Sequence, residues 1–346
     1  MRAEEWWDYK LAPILSTFYA TAFVLHVAVS SLWVGALTLF LSIVTAAIYA
    51  SAVNELTDRA DDAAAGKRNR AADRPRSVAA LLVVTVGAGL TFAWLWSDDT
   101  ALLSCYLAVW LAFALYSIPP FRLKKRGLPG VLCDAAGEQM FPALAAVFIA
   151  CRGAQSVVGG AWVSSVTVWA LAFGLRGIVW HQLRDVENDR AAGVRTFVSR
   201  HPRAAGGIGA FVFFPLELGA FAAMLWQIGG AWPAAFLLLY SFYAIRSTRR
   251  GHMAPVIVAP KPSAFIILQD FYTDLFPVAL LIAASIRDPR DLVVLAVHLL
   301  LFPRRAFHVA GRIASTVRSS ISNRRVNAST ANTVVNDSEP HHGRFG

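Results

Sequence analysis

Asn54, Asp58 and Asp62 stand four residues apart, and Asp185 and Asp189 repeat that spacing later in the chain. On a helix, residues four apart share a face. The first three therefore form one oxygen-rich stripe and the last two another. The two stripes keep one offset, with Asn54 against Asp185 (185 − 54 = 131) and Asp58 against Asp189 (189 − 58 = 131). Facing carboxylate stripes repel unless a cation lies between them. Mg²⁺ is the natural choice, because it takes oxygen ligands and is usually shared with substrate phosphates. The plainer reading is a solvated polar loop. Three features weigh against it: the helical spacing, its recurrence, and the bases that follow each cluster (Lys67, Arg68, Arg70 and Arg74; Arg190 and Arg195). Acids for a metal beside bases for phosphate suit a metal–diphosphate complex.

The elements that must hold these residues are apolar. The chain has 346 residues, 56% hydrophobic and 16% charged, whereas soluble domains carry about 25% charge. About 20 apolar residues span a bilayer. Segments that qualify are 11–33, 34–53, 77–96, 100–121, 131–151, 159–183, 204–227, 229–245 and 264–286, while 291–303 is short for a span. The expected fold is all-α. It is a polytopic integral membrane helical bundle with about nine transmembrane helices, in two roughly repeated four-helix halves plus a ninth helix. Residues 1–303 form the membrane-embedded domain, and 304–346 a basic, then disordered tail. The first segment lacks the flanks of a cleaved signal and is expected to stay as a helix. Cys105, Cys133 and Cys151 have no metal-type spacing and read as packing residues.

Lys and Arg gather in 59–76, 122–126, 184–203 and 246–261, while the intervening loops near 97–99, 152–158 and 228 hold only Arg152. This is the positive-inside pattern. It puts both acidic clusters on the cytoplasmic face of the plasma membrane. The net charge of +10 sets topology and draws anionic membrane lipid; no nucleic-acid module is recognisable.

These segments resemble the UbiA prenyltransferase family. Asn54, Asp58 and Asp62 match its N-D-x-x-D-x-x-x-D motif after helix two, with Glu55 in place of the usual Asp. Asp185 and Asp189 match its D-x-x-x-D motif after helix six, with Asn188 in a Gly position. The segment Tyr116, Ser117, Ile118, Pro119, Pro120, Phe121, Arg122, Leu123, Lys124 is similar to its Y-S-x-P-P-x-R-x-K stretch. The resemblance covers about residues 10–286. It implies nine helices and a Mg²⁺-dependent enzyme. A prenyl diphosphate would lose pyrophosphate, and the prenyl group would pass to an aromatic or quinone-precursor-like acceptor.

On that reading Asn54, Asp58, Asp62, Asp185 and Asp189 hold two Mg²⁺ ions. Lys67, Arg122, Lys124 and Arg195 meet pyrophosphate. Tyr116, with Phe173 and Trp180 as further aromatics near the helix ends, faces the allylic cation. A terpene cyclase with the same metal–diphosphate site is one rival, and a membrane transporter is another. Asp134, Glu138, Asp270, Asp274, Glu217 and Arg176 fall inside apolar segments. Such residues face the bundle interior. They either pair with one another, Arg176 with Glu138 or Glu217, or touch the acceptor or act as a catalytic base. His181 is a base, or it caps and packs the helix end.

Overall fold

Most of the helices are apolar around their whole circumference. A helix of that kind is stable only when buried in other helices or in lipid. The computed structural model describes residues 6–64, 66, 68–187, 196–249, 254–258 and 264–304. These are α1 (Ala12–Val24), α2 (Trp33–Thr57), α3 (Pro75–Leu95), α4 (Thr100–Ser117), α5 (Leu128–Ala154), α6 (Gly160–Arg184), α7 (Pro202–Ile228), α8 (Trp232–Arg249), α9 (Phe276–Arg287) and α10 (Asp291–Leu301). Helices α2 to α7, α2 counted with the turn before it, are the six among the described residues long and apolar enough to cross a membrane. The chain is an all-α polytopic membrane bundle. Helices α1, α8 and α9 occupy the other three segments read as spans.

Helices α5 and α6 form the centre. Over half of their apolar windows (56% each) is buried, against 11% in α3. They cross closely because Gly174 has no Cβ; one added there would meet the Ala135 carbonyl at 2.9 Å. Helix α1 packs on α5 and α9, α7 on α6, and α3 on α2.

Among the described residues, four helices carry a π turn: Trp7–Leu11 ahead of α1, Ala136–Met140 in α5, Gly209–Phe213 in α7, and Phe271–Leu275 ahead of α9. Each ends two residues before a proline (Pro13, Pro142, Pro215, Pro277). Proline has no N–H and its ring clashes with the carbonyl four residues back. The preceding turn widens to relieve that clash, producing a single-turn π bulge.

Two expected boundaries are corrected. The first span was read as 11–33, but α1 ends at Val24 and His26 takes a left-handed conformation (φ 58°). A 3₁₀ turn, Val29–Leu32, follows. Its leading N–H groups, on Val29 and Ser30, donate to the Asp291 carboxylate at 3.2 and 2.7 Å. That partner lies far along the chain, so local sequence does not reveal the break. The ninth span was read as 264–286. Its first residues instead form β2 (Ala264–Ile266), paired in parallel with β1 (Ala254–Val256).

Helix α10 has 11 residues, about 16 Å at 1.5 Å per residue. That is too short to span. The His298 ring approaches the Tyr19 hydroxyl at 3.4 Å. Met1–His298 form one compact unit and Leu299–Gly346 a second, of which only 299–304 are described.

Of the buried charges, Arg176 pairs with Glu217 and not Glu138. Two hydrogen bonds of 2.6 Å join them, and Arg176 also donates to the Ile257 carbonyl at 3.1 Å. Glu138 accepts from Lys10 instead.

Candidate functional site

Helices α2 and α6 each run 25 residues and end immediately before an acid. Asp58 is the C-cap of α2 and Asp185 the C-cap of α6. A helix C-terminus already carries partial negative charge, so carboxylates placed there need cations. The chain resumes as a short helix, Arg59–Ala64, and the Asp62 N–H bonds the Asp58 carbonyl at 2.8 Å. This near-continuation keeps Asn54, Asp58 and Asp62 on one wall. By helix ends the halves are offset by 184 − 57 = 127. The acidic motifs, offset by 131, are therefore one turn out of step: Asn54 sits inside its helix, while Asp185 caps its own.

A chamber of about 1040 Å³ is lined by Asn54, Asp58, Asp62, Asp185, Tyr116 and Lys124. Arg68, Arg70 and Arg74 line it too, with Asp134, Glu138 and His181 further along its wall. Behind it lies a narrow apolar pocket of about 50 Å³ between α1, α2, α4 and α5. Trp6, Lys10, Ala47, Phe113 and Glu138 border both spaces.

Several of the chamber acids have cationic or polar partners. Asp58 Oδ1 accepts from Arg122 at 2.7 Å and from Lys124. Asp61 Oδ2 accepts from Arg122 at 2.8 Å and pairs with Lys125 at 2.6 Å. The Lys125 bond holds the Asp61 carboxyl below its ordinary range. Burial pushes the Lys124 ammonium down, against the pull of Asp58. Asn54 accepts from the Ser117 hydroxyl. The loop carrying Lys124 contains a cis bond between Pro119 and Pro120 and a left-handed Arg122 (φ 41°). It lies tightly on α5 because Gly130 leaves room; a Cβ there would stand 2.3 Å from the Leu123 carbonyl.

Residues 14–259 match the UbiA prenyltransferase family. The chain belongs to that family. A relative is the lycopene elongase/hydratase of Halobacterium salinarum, 30% identical over 154 residues, which cover 43% of this chain and 51% of the relative. The chain thus spans about half the length of the curated relative it matches. No solved structure matches it.

Several sequence-derived site residues need placing in this UbiA-family chain. Arg122 does not line the chamber; it braces the acids from behind, through Asp58, Asp61 and the Thr57 carbonyl at 2.8 Å. Phe173 and Trp180 are also away from the chamber. Phe173 stacks on Trp169, and Trp180 lies under the Arg184 guanidinium. Phe113 and Trp6 take the aromatic places beside Tyr116. Lys67, Asp189 and Arg195 lie outside the described residues.

Sequence reasoning missed Asn69. Its side chain donates to Asp62 at 2.7 Å and to the Glu55 carbonyl at 2.9 Å, and accepts from the Ala72 N–H. An Asn just before a short helix is an N-cap signal that could have found it. Glu55 accepts from the Arg70 N–H at 2.7 Å, so it closes the loop. Among the described residues, no three His, Cys, Asp or Glu side chains gather closely enough to hold a metal ion.

Proposed function

We propose that this chain is a Mg²⁺-dependent membrane prenyltransferase. It moves an isoprenyl group from a prenyl diphosphate to a neutral, hydrophobic acceptor and releases pyrophosphate. One observation carries the reading: a single chamber holds oxygen ligands, phosphate-type bases and, at its inner end, an apolar pocket.

The donors fit Mg²⁺. They are hard oxygens on two helix ends, and among the described residues they do not gather into a protein-only cage. That is how Mg²⁺ sites completed by substrate phosphates are built. Asn54, Asp58, Asp62, Asp185 and Asp189 would hold it. When bound, Mg²⁺ neutralises charge on the leaving pyrophosphate. The chain's own residues do the rest. Lys124, Arg68, Arg70 and Arg74 donate to phosphate oxygens. Tyr116 and Phe113 present aromatic faces to the allylic cation. The apolar side chains of the pocket beyond, such as Leu39 and Val109, keep water from it.

The inner wall also bears on the acceptor. Asp134 and Glu138 stand there with Lys10, while the arginines that would hold a carboxylate, Arg68, Arg70 and Arg74, are assigned to the diphosphate. A neutral aromatic or quinol is better suited, as is a polyene, the acceptor class suggested by the relative's name, lycopene elongase/hydratase. The basic loops argue for a cytoplasmic mouth in the plasma membrane.

Mass spectrometry of the lipid-embedded protein tests this. Dimethylallyl, geranyl and geranylgeranyl diphosphates are each supplied with Mg²⁺, with and without lycopene, a quinol and 4-hydroxybenzoate. Pyrophosphate plus a prenylated neutral acceptor is expected. A cyclic hydrocarbon formed without acceptor would make it a cyclase. No pyrophosphate from any donor would sink the reading.

A further inference from the structure

We propose that Glu138 is the base that takes the proton lost when the prenyl–acceptor bond forms, with Lys10 as its positioning residue. This rests on the prenyltransferase reading above.

The chamber and the apolar pocket meet at a neck. Among the described ionisable residues lining the chamber, only Lys10 and Glu138 also line the pocket. The diphosphate end belongs with the bases at the mouth, and the apolar reacting groups belong beside the pocket, whose roughly 50 Å³ admits only part of an acceptor. The new bond must then form near the neck. Asp134, His181 and Tyr116 line the chamber but not the pocket. At the mouth Asp58, Asp61 and Asp62 are occupied by Arg122, Lys124, Lys125 and Asn69, and Asp185 is assigned above to the metal.

A second buried pair in the same bundle shows what a structural one looks like. Arg176–Glu217 is sealed, with side chains 1% and 0% exposed, and uses both carboxylate oxygens. Lys10–Glu138 is open, 29% and 24% exposed, and engages Oε1 only. Oε2 has no partner among the described residues. Both members of the open pair sit on π turns, Trp7–Leu11 and Ala136–Met140. Such turns recur at functional sites because they re-aim side chains off the regular helical face.

The chemistry balances with these groups. The allylic C–O bond breaks, and its electron pair leaves on pyrophosphate. A C=C pair of the acceptor forms the new C–C bond and leaves a cation on the acceptor. The adjacent C–H bond then breaks, its pair restores the double bond, and the proton goes to the Glu138 carboxylate. The acid returns it to water in the open chamber.

The test uses the full chain in lipid nanodiscs with Mg²⁺, the three prenyl diphosphates and lycopene or a quinol. Pyrophosphate and coupled product are measured together. Glu138→Gln should lower the ratio of coupled product to pyrophosphate about 100-fold, the scale of losing a general base. Prenyl alcohol or a hydrated adduct should replace the product, and Glu138→Asp should recover part of the ratio. The exchange Lys10→Glu with Glu138→Lys keeps an ion pair but moves the carboxylate; it should fold and still fail to couple. A normal ratio in folded Glu138→Gln would overturn the assignment, leaving pyrophosphate as the base. Coupling restored by the exchange would make the pair structural. Equal loss of pyrophosphate and product in folded variants would tie Glu138 to ionisation instead. No pyrophosphate from the unmodified chain would overturn the prenyltransferase reading itself.

Discussion

Asp58 is held by two cations, Arg122 and Lys124, at the C-terminus of α2. Its neighbours were legible because a helix repeats every 3.6 residues, so spacing alone put Asn54, Asp58 and Asp62 on one face. The brace around them was not. Asn69, Asp61 and Lys125 reach the site through loop closure, which no local period encodes. Asp58→Ala and Asp185→Ala should each abolish turnover while the protein stays inserted and monodisperse in detergent. Near-normal turnover in either would remove the metal role. Lys124→Ala should lower kcat by about 10²-fold, the usual loss when one donor to developing negative charge is removed. Its effect should be independent of the acceptor supplied. A change confined to acceptor KM would place Lys124 on the wrong substrate.

At the scale of elements, the helices were readable from apolar length, but their interruptions were not. The π turns follow from Pro13, Pro142, Pro215 and Pro277, yet proline alone does not say whether a helix will kink, stop or widen. The first break needed Asp291 and the last segment needed a strand partner. Joining α6 to α7 is the Arg176–Glu217 pair, which also holds the Ile257 carbonyl. Removing one member of a sealed pair costs about 3–5 kcal/mol, because the other charge is left buried alone. Arg176→Met and Glu217→Met should therefore each lower thermal stability sharply. The double replacement should lose less than either single one. A double variant as unstable as the sum would show that the two do not act as a pair.

For the whole molecule, composition was enough to give a polytopic bundle, and two acidic motifs in order were enough to suggest a family. The charge bias of the loops makes a further claim: residues 56–76, 122–130 and 184–203 face the cytoplasm. Single cysteines placed there, after replacing Cys105, Cys133 and Cys151, should resist an impermeant thiol reagent applied to intact cells. Labelling from outside would invert the orientation. The Asp291 clasp on the turn between α1 and α2 adds a matter of timing. Its two partners are separated from it by 262 and 261 positions. At about 5–20 residues per second, synthesis needs roughly 13–50 s to cover that distance. The first two helices therefore enter the bilayer with their connection unfinished. The carboxylate that completes it is made only after helices α1 to α9, so the turn between α1 and α2 is among the last of their connections to settle.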